Sequence, residues 1–222
     1  MKKIILVATA LIIGCFSTNA QNRKLKEGKV SYKVTYDLNA EKQQMAAMLP
    51  SNVDIYFKGT KSCAETSGGM MQQRTITSAE TGDSYSLMEM MGQKVALKTT
   101  KGEAVSRISA HGTPEVKITK ETKEIAGYKC SKAVVSVKGQ PSFDIWFTKE
   151  LEGTNGGYAR YEGIEGMMLE YQVNVNDIGM KYTCTGISDE KVDDAKFVLP
   201  TDYRQISMDD LQHMNPEDRN GF

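Results

Sequence analysis

Histidine is nearly absent from this chain. Two are present in 222 residues, His111 and His213, and neither belongs to an H-E-x-x-H or similar metal motif. Both read as surface residues with no chemical task. No G-x-S-x-G elbow and no P-loop occurs, and the cysteines form no C-x-x-C. Acidic residues gather at Asp189-Glu190 and Asp193-Asp194, but the spaced oxygen ligands and turn glycine of a calcium loop are missing. These absences predict a protein that is not an enzyme and carries no cofactor. The 28 basic residues balance the 28 acidic ones. A nucleic-acid partner is therefore not expected, because it calls for a concentrated basic face. Beyond residue 16 no apolar run approaches the about 20 residues a membrane-spanning helix needs.

What is present begins with an export signal. Met1-Lys2-Lys3 precedes an apolar run from Ile4 to Phe16, and Thr18-Asn19-Ala20 places small residues three and one before the next bond. That order predicts a signal peptide over residues 1–20, cut after Ala20. Ile12-Ile13-Gly14-Cys15 offers a competing lipobox, in which Cys15 becomes lipidated. The expected location is the periplasm or outer cell envelope. Residues 21–206 read as a single β-rich domain, and 207–222 as a tail with a short helix starting near Ser207. Of the remaining cysteines, Cys63, Cys130 and Cys184, any two could form a disulfide in an oxidising compartment. Small buried residues on strands are the equal alternative.

The body of the chain alternates. Val30, Tyr32, Val34, Tyr36 and Leu38 point one way, with Lys29, Ser31, Lys33, Thr35 and Asp37 opposite. Leu169, Tyr171, Val173 and Val175 repeat the device, and shorter versions occur at 53–57, 95–97, 143–147 and 180–184. Period-two patterning describes strands with one wet face, usually in antiparallel sheets. Turn residues fall between the runs, at Gly59, Gly82, Gly92, Gly139 and 176–179. Nine or ten strands in a meander are expected. A helix is predicted over Ala40–Leu49, capped by Asn39 and stopped by Pro50, with Met45, Met48 and Leu49 on one face. The glycine-rich segment from Gly153 to Gly166 reads as a long surface connection, with a mobile loop over a cavity as the alternative.

Methionine is the unusual count, at 13, and it clusters at Met70-Met71, Met88-x-Met90-Met91 and Met167-Met168. Thioethers fill gaps in cores, make soft adaptable apolar surfaces, and bind copper(I). All three readings stand at this point.

Several short motifs add a resemblance. Ile125-Ala126-Gly127-Tyr128-Lys129-Cys130 precedes Phe143-Asp144-Ile145-Trp146-Phe147-Thr148. Gly163-Ile164-Glu165-Gly166-Met167-Met168 and Phe197-Val198-Leu199-Pro200 follow. This order resembles the secreted domain-of-unknown-function 4412 family and the related GLPGLI family, over most of residues 28–206. The resemblance implies an architecture similar to the LolA and LolB carriers. That architecture is mainly β with one or two helices: a curved antiparallel sheet, or incomplete barrel, with a helix over its concave face. It also implies a non-catalytic cell-envelope domain that binds a lipid or other hydrophobic small molecule. Under that reading Met45, Met48 and Leu49 face a cavity lined by Tyr32, Val34, Tyr36, Tyr171 and Val173. The alternatives are an interaction domain with a filled core, whose partner is an envelope protein, and a methionine-rich copper-binding protein.

Overall fold

The computed structural model describes residues 24–40, 42–70, 72–78, 80–90, 93–110, 112–152, 161, 163–175 and 178–213. The expected signal peptide and Cys15 lie outside these residues, as do His111, residues 153–160 of the glycine-rich connection, and the tail beyond His213.

Among the described residues twelve strands form one sheet. They are β1 (Glu27–Asp37), β2 (Asn52–Lys58), β3 (Lys61–Ser67), β4 (Arg74–Ser78), β5 (Ser84–Met90), β6 (Gln93–Thr99), β7 (Glu115–Ile125), β8 (Tyr128–Ser136), β9 (Phe143–Thr148), β10 (Met167–Val175), β11 (Ile178–Ser188) and β12 (Arg204–Ile206). Their spatial order is β12-β6-β5-β4-β3-β2-β1-β11-β10-β9-β8-β7. Two meanders, β1 to β6 and β7 to β11, therefore meet at the β1–β11 pair. Every pairing is antiparallel except the last: β12 lies parallel to β6, with Arg204 opposite Val95. A strand of three residues has too little pattern to be seen in sequence, and its partner lies a hundred residues back.

The alternation read from β1 holds in space. Val30, Tyr32 and Val34 are buried, while Lys33 and Thr35 are exposed. The tight reversals also fall where turn chemistry placed them. Lys58 pairs with Lys61 around Gly59-Thr60; a further reversal, which the sequence reading did not place, joins Ile125 to Tyr128 around Ala126-Gly127.

The sheet is large, open and curved, and the protein is mainly β with two short helices. The main core shows the curvature. Phe57 and Ile55 of β2 belong to one buried cluster with Ile145 and Phe147 of β9 and Val135 of β8, strands well separated in the sheet order. The segment before β1 also crosses to the segment after β9. Leu25 donates to the carbonyl of Glu150 (2.8 Å) and accepts from Glu152 (2.7 Å). Each large apolar side chain sunk in this face contributes about 1.5–3 kcal/mol.

A smaller core lies on the opposite face of β3 to β6. Cys63, Ile76, Leu87 and Ala96 pack there against Phe197, Leu199 and Tyr203 of the strap that follows β11. Arg74 fastens that strap by donating to the carbonyls of Ala195 (3.1 Å) and Lys196 (2.6 Å). Lys196 in turn pairs with Glu65 at 2.7 Å.

The helix expected over Ala40–Leu49 does not form. A single 3₁₀ turn, Gln43–Met45, occupies the segment, and it buries no residue. Good helix formers do not suffice without an apolar face packed against the protein. Here the backbone closes successive three-residue turns instead, with Met45 donating to the carbonyl of Lys42 (2.9 Å) and Met48 to that of Met45 (2.9 Å), and Met70 donates to the carbonyl of Met48 (3.2 Å) from the β3–β4 connection. The two α-helices are α1 (Lys101–Ala110) and α2 (Met208–His213). Each opens on a capping box. Thr100 N–H donates to the Glu103 carboxylate at 2.6 Å, and Glu103 N–H to Thr100 Oγ1 at 3.3 Å. Ser207 and Asp210 repeat the arrangement, at 2.8 and 3.0 Å.

Candidate functional site

The sheet brings five of the eight expected ligand-lining residues onto one face. Tyr32 and Val34 stand on β1, and Tyr171 on β10, all at most 5% exposed. Tyr32 donates its hydroxyl to the carbonyl of Met168 (2.8 Å), a link from β1 to β10 across β11. Its ring meets Tyr171 edge-on at 6.0 Å, and Tyr171 stacks flat on Tyr182 at 4.7 Å. Tyr32 and Tyr171 plug the middle of the concave face, and Tyr182 leads from them toward its open end. Toward one end of it, Tyr36 and Val173 are only half-buried, together with Met180 and Tyr182. Burial raises the pKa of the Tyr36 phenol, whose hydroxyl donates to the carbonyl of Pro50.

Met45, Met48 and Leu49 do not lie over this face as a helix. Leu49 is half-buried, whereas Met45 is 43% and Met48 45% exposed. Met70, on the neighbouring β3–β4 connection, is 80% exposed, and its N–H bond to Met48 joins the two segments. A methionine-bearing lip therefore projects beside the half-buried end of the face, tied to it through Tyr36 and Pro50.

Two concavities lie elsewhere. One, of about 300 Å³, sits beside the strap and is bounded by Ile76, Tyr85, Phe197 and Leu199 with Lys61 and Asp83 at its edge. The other, of about 360 Å³, opens on the face opposite the main core and is lined by Asp144, Trp146, Glu170, Gln172 and Lys181. Sequence reasoning passed over this second one. The available signal was Trp146 itself, out of phase with Phe143, Ile145 and Phe147 and so assigned to the wet side of β9.

Cys63, Cys130 and Cys184 are all free and buried, so the bridge considered from sequence is not formed. Cys63 belongs to the smaller core and the other two to the main one, on opposite faces of the sheet. Burial pushes all three thiols up, Cys130 to about 12. Among the described residues no group of three His, Cys, Asp or Glu side chains could hold a metal. Of the methionines weighed for copper, Met88 is half-buried on β5, and the side chains of Met90 and Met91 lie outside the description. His213 is exposed, its Nδ1 2.9 Å from the carbonyl of Asp209. No described helix is long and apolar enough to cross a membrane.

These features define a β-sheet domain with a filled centre, one apolar open end and one polar concavity. Comparison with known proteins then gives the family. The family described as N-glycanase peptide, N-terminal domain, matches residues 30–215, and the chain belongs to it. The comparisons give no support for the domain-of-unknown-function 4412 family. No curated protein matches the chain. Among solved structures, PNGF-II in the P21 space group aligns over 84% of this chain with a TM-score of 0.55 at 14% identity. PNGF-II in the C2 space group gives 0.53 at 16% identity over the same share. The similarity at that identity is one of fold. The chain spans about a third of the length of these structures, 33% and 32%. MucB aligns over 82% of this chain and 60% of its own, with a TM-score of 0.39 at 8% identity.

Proposed function

We propose that this protein is an exported, non-catalytic binding domain of the cell envelope, and that it engages a lipid or other hydrophobic ligand at the open end of its concave face. The observation that carries this reading is the exposed methionine lip (Met45, Met48 and Met70) beside half-buried Tyr36, Val173, Met180 and Tyr182. Methionine is unbranched and polarizable, so such a lip adapts to a chain without fixed shape. Each methylene it removes from water contributes about 0.8 kcal/mol. In this reading Tyr36, Met45, Met48, Leu49 and Val173 touch the ligand, while Tyr32, Val34 and Tyr171 form the floor. Membership of an N-terminal-domain family fits a binding role beside a catalytic partner domain better than catalysis by this chain alone. The balanced charge and the first twenty residues support export to the envelope and no contact with nucleic acid.

A second reading has its own observation. Tyr32, Val34 and Tyr171 are packed so fully that the interior holds a core. The domain would then be an interaction module that docks the same lip onto an envelope protein. Native mass spectrometry of the exported protein, before and after organic extraction, separates the two. A bound lipid of defined mass that extraction removes, and that Met48→Asp with Met70→Asp prevents, supports the ligand reading. An apo mass together with no lipid uptake refutes it and leaves the docking module.

A further inference from the structure

The methionines that the fold gathers are not those that cluster in the sequence. Met45, Met48 and Met70 stand on two segments that flank the β2–β3 hairpin, and all three are exposed. Met45 and Met48 sit one three-residue turn apart, where Met48 N–H donates to the carbonyl of Met45 at 2.9 Å. Side chains at that spacing lie one above the other, about 6 Å apart along the turn axis. Met70 N–H donates in turn to the carbonyl of Met48 at 3.2 Å. Standard bond lengths then hold the Cα atoms of Met48 and Met70 within roughly 7 Å.

Two glycines make this approach possible. A Cβ on Gly69 would stand 2.6 Å from the carbonyl carbon and oxygen of Leu49, and 2.7 Å from the carbonyl oxygen of Met48. A Cβ on Gly68 would overlap Ser51 Oγ. The connection is therefore pressed backbone to backbone against residues 48–51. Close seating of this kind commonly serves to bury the next side chain, yet Met70 emerges from it 80% exposed. What the seating achieves is a third thioether beside two others. Each sulfur lies three bonds from its Cα on unbranched, freely turning torsions, so the three can converge on one ion.

The donor set selects the ion. No His, Cys, Asp or Glu occurs at 42–53 or at 66–73. Zn(II) calls for thiolate, imidazole or carboxylate, and Ca(II) and Mg(II) call for oxygen. Soft, uncharged thioethers suit Cu(I). In an oxidising compartment thiols are lost to disulfides, whereas a thioether forms none and keeps its lone pairs for the metal.

We propose that Met45, Met48 and Met70 form a three-thioether site for Cu(I), with Gly69 as the positioning residue that seats Met70 beside Met48. The proposal does not rest on the lipid reading: a lipid needs the apolar area of these side chains, and the ion needs their sulfur. The exported protein, its accessible thiols first blocked with N-ethylmaleimide, is titrated calorimetrically without oxygen, with Cu(I) supplied as its acetonitrile complex. The expected result is saturation at one ion per chain, with sulfur in the metal shell by copper X-ray absorption. Ag(I), equally soft, binds likewise, and Zn(II) does not. Leucine keeps the apolar area and removes the sulfur, so Met45→Leu, Met48→Leu and Met70→Leu combined should abolish binding at unchanged circular dichroism. Gly69→Ala keeps every sulfur but pushes the connection off Leu49. It is expected to weaken binding about tenfold or more, as loss of a group that orients a metal ligand does. Met88→Leu, on β5, should change nothing. No saturable uptake of Cu(I) overturns the proposal. So does binding retained in the triple leucine variant, a metal shell without sulfur, unaltered affinity in Gly69→Ala, or equal affinity for Zn(II).

Discussion

The β7–β8 reversal holds an alanine in a conformation that alanine resists. Ala126 has φ 51° and Gly127 φ 84° between paired Ile125 and Tyr128. A two-residue hairpin loop with both central φ values positive is the type I′ turn, which favours Asn-Gly. For an L-residue with a Cβ the left-handed region costs roughly 1–2 kcal/mol, and asparagine enters it more readily because its side chain bonds locally. Ala126 is exposed, so a change there alters no packing. Ala126→Asn should therefore stabilise the domain by about 0.5–1 kcal/mol. With a urea slope of about 2 kcal/mol per molar, the unfolding midpoint should rise by roughly 0.3–0.5 M at unchanged slope. Ala126→Val should move it the other way, since a β-branched residue is a true outlier at positive φ. Urea titration followed by circular dichroism measures all three proteins. An Ala126→Asn midpoint equal to or below that of the parent would refute the argument, because no lost contact is available to explain it.

Two further outcomes follow from other sites. The three buried thiols should resist iodoacetamide in the native protein at pH 8 and all react in denaturant. Fast native labelling, or an intact mass two hydrogens light, would contradict their placement. Burial pushes the Glu170 carboxyl upward, but Lys123 and Lys181 outweigh it and leave its pKa lowered. Its stabilising contribution is then complete above the ordinary carboxylate range and fades as pH falls through the lowered folded value. Glu170→Gln should flatten that part of the acid-unfolding curve, and an unchanged curve would show that the pairs with Lys123 and Lys181 do not matter.

Period-two runs carried most of the sheet into the sequence reading, because side chains along β1 answer in turn to a wet or a dry face; on β10 the alternation breaks at Met167-Met168-Leu169, all buried where the register shifts. Local turn chemistry did the same for the reversal at Gly59, whereas the one at Ala126-Gly127 was passed over. The segment 40–49 misled for the opposite reason. Its helix propensity is real, but propensity is a weak prior, and with no residue of its 3₁₀ turn buried the segment keeps only three-residue turns. Helix α1 had a usable signal in Thr100-x-x-Glu103, hidden by Gly102 in the first turn. The parallel β12 had none, since its pairing with β6 is set by where the strap lands. Of the candidate site, the floor was legible as alternation on β1 and β10. Whether Met45 and Met48 covered it or projected from it depended on the helix that did not form. Trp146 stood in the sequence plainly, but its charged surroundings come from four other strands.

The meeting of the two meanders also sets a schedule for the growing chain. Strand β1 can pair with β2 within moments of synthesis, yet its other neighbour, β11, arrives some 150 residues later, with Tyr32 waiting for Cys184. Until then β1 presents a row of open backbone groups that any extended segment can occupy. The first half of this protein is therefore a half-sheet in search of its seam, and a ribosome stall or truncation before residue 178 would leave β1 as a template for aggregation, an edge that β11 closes in the finished molecule.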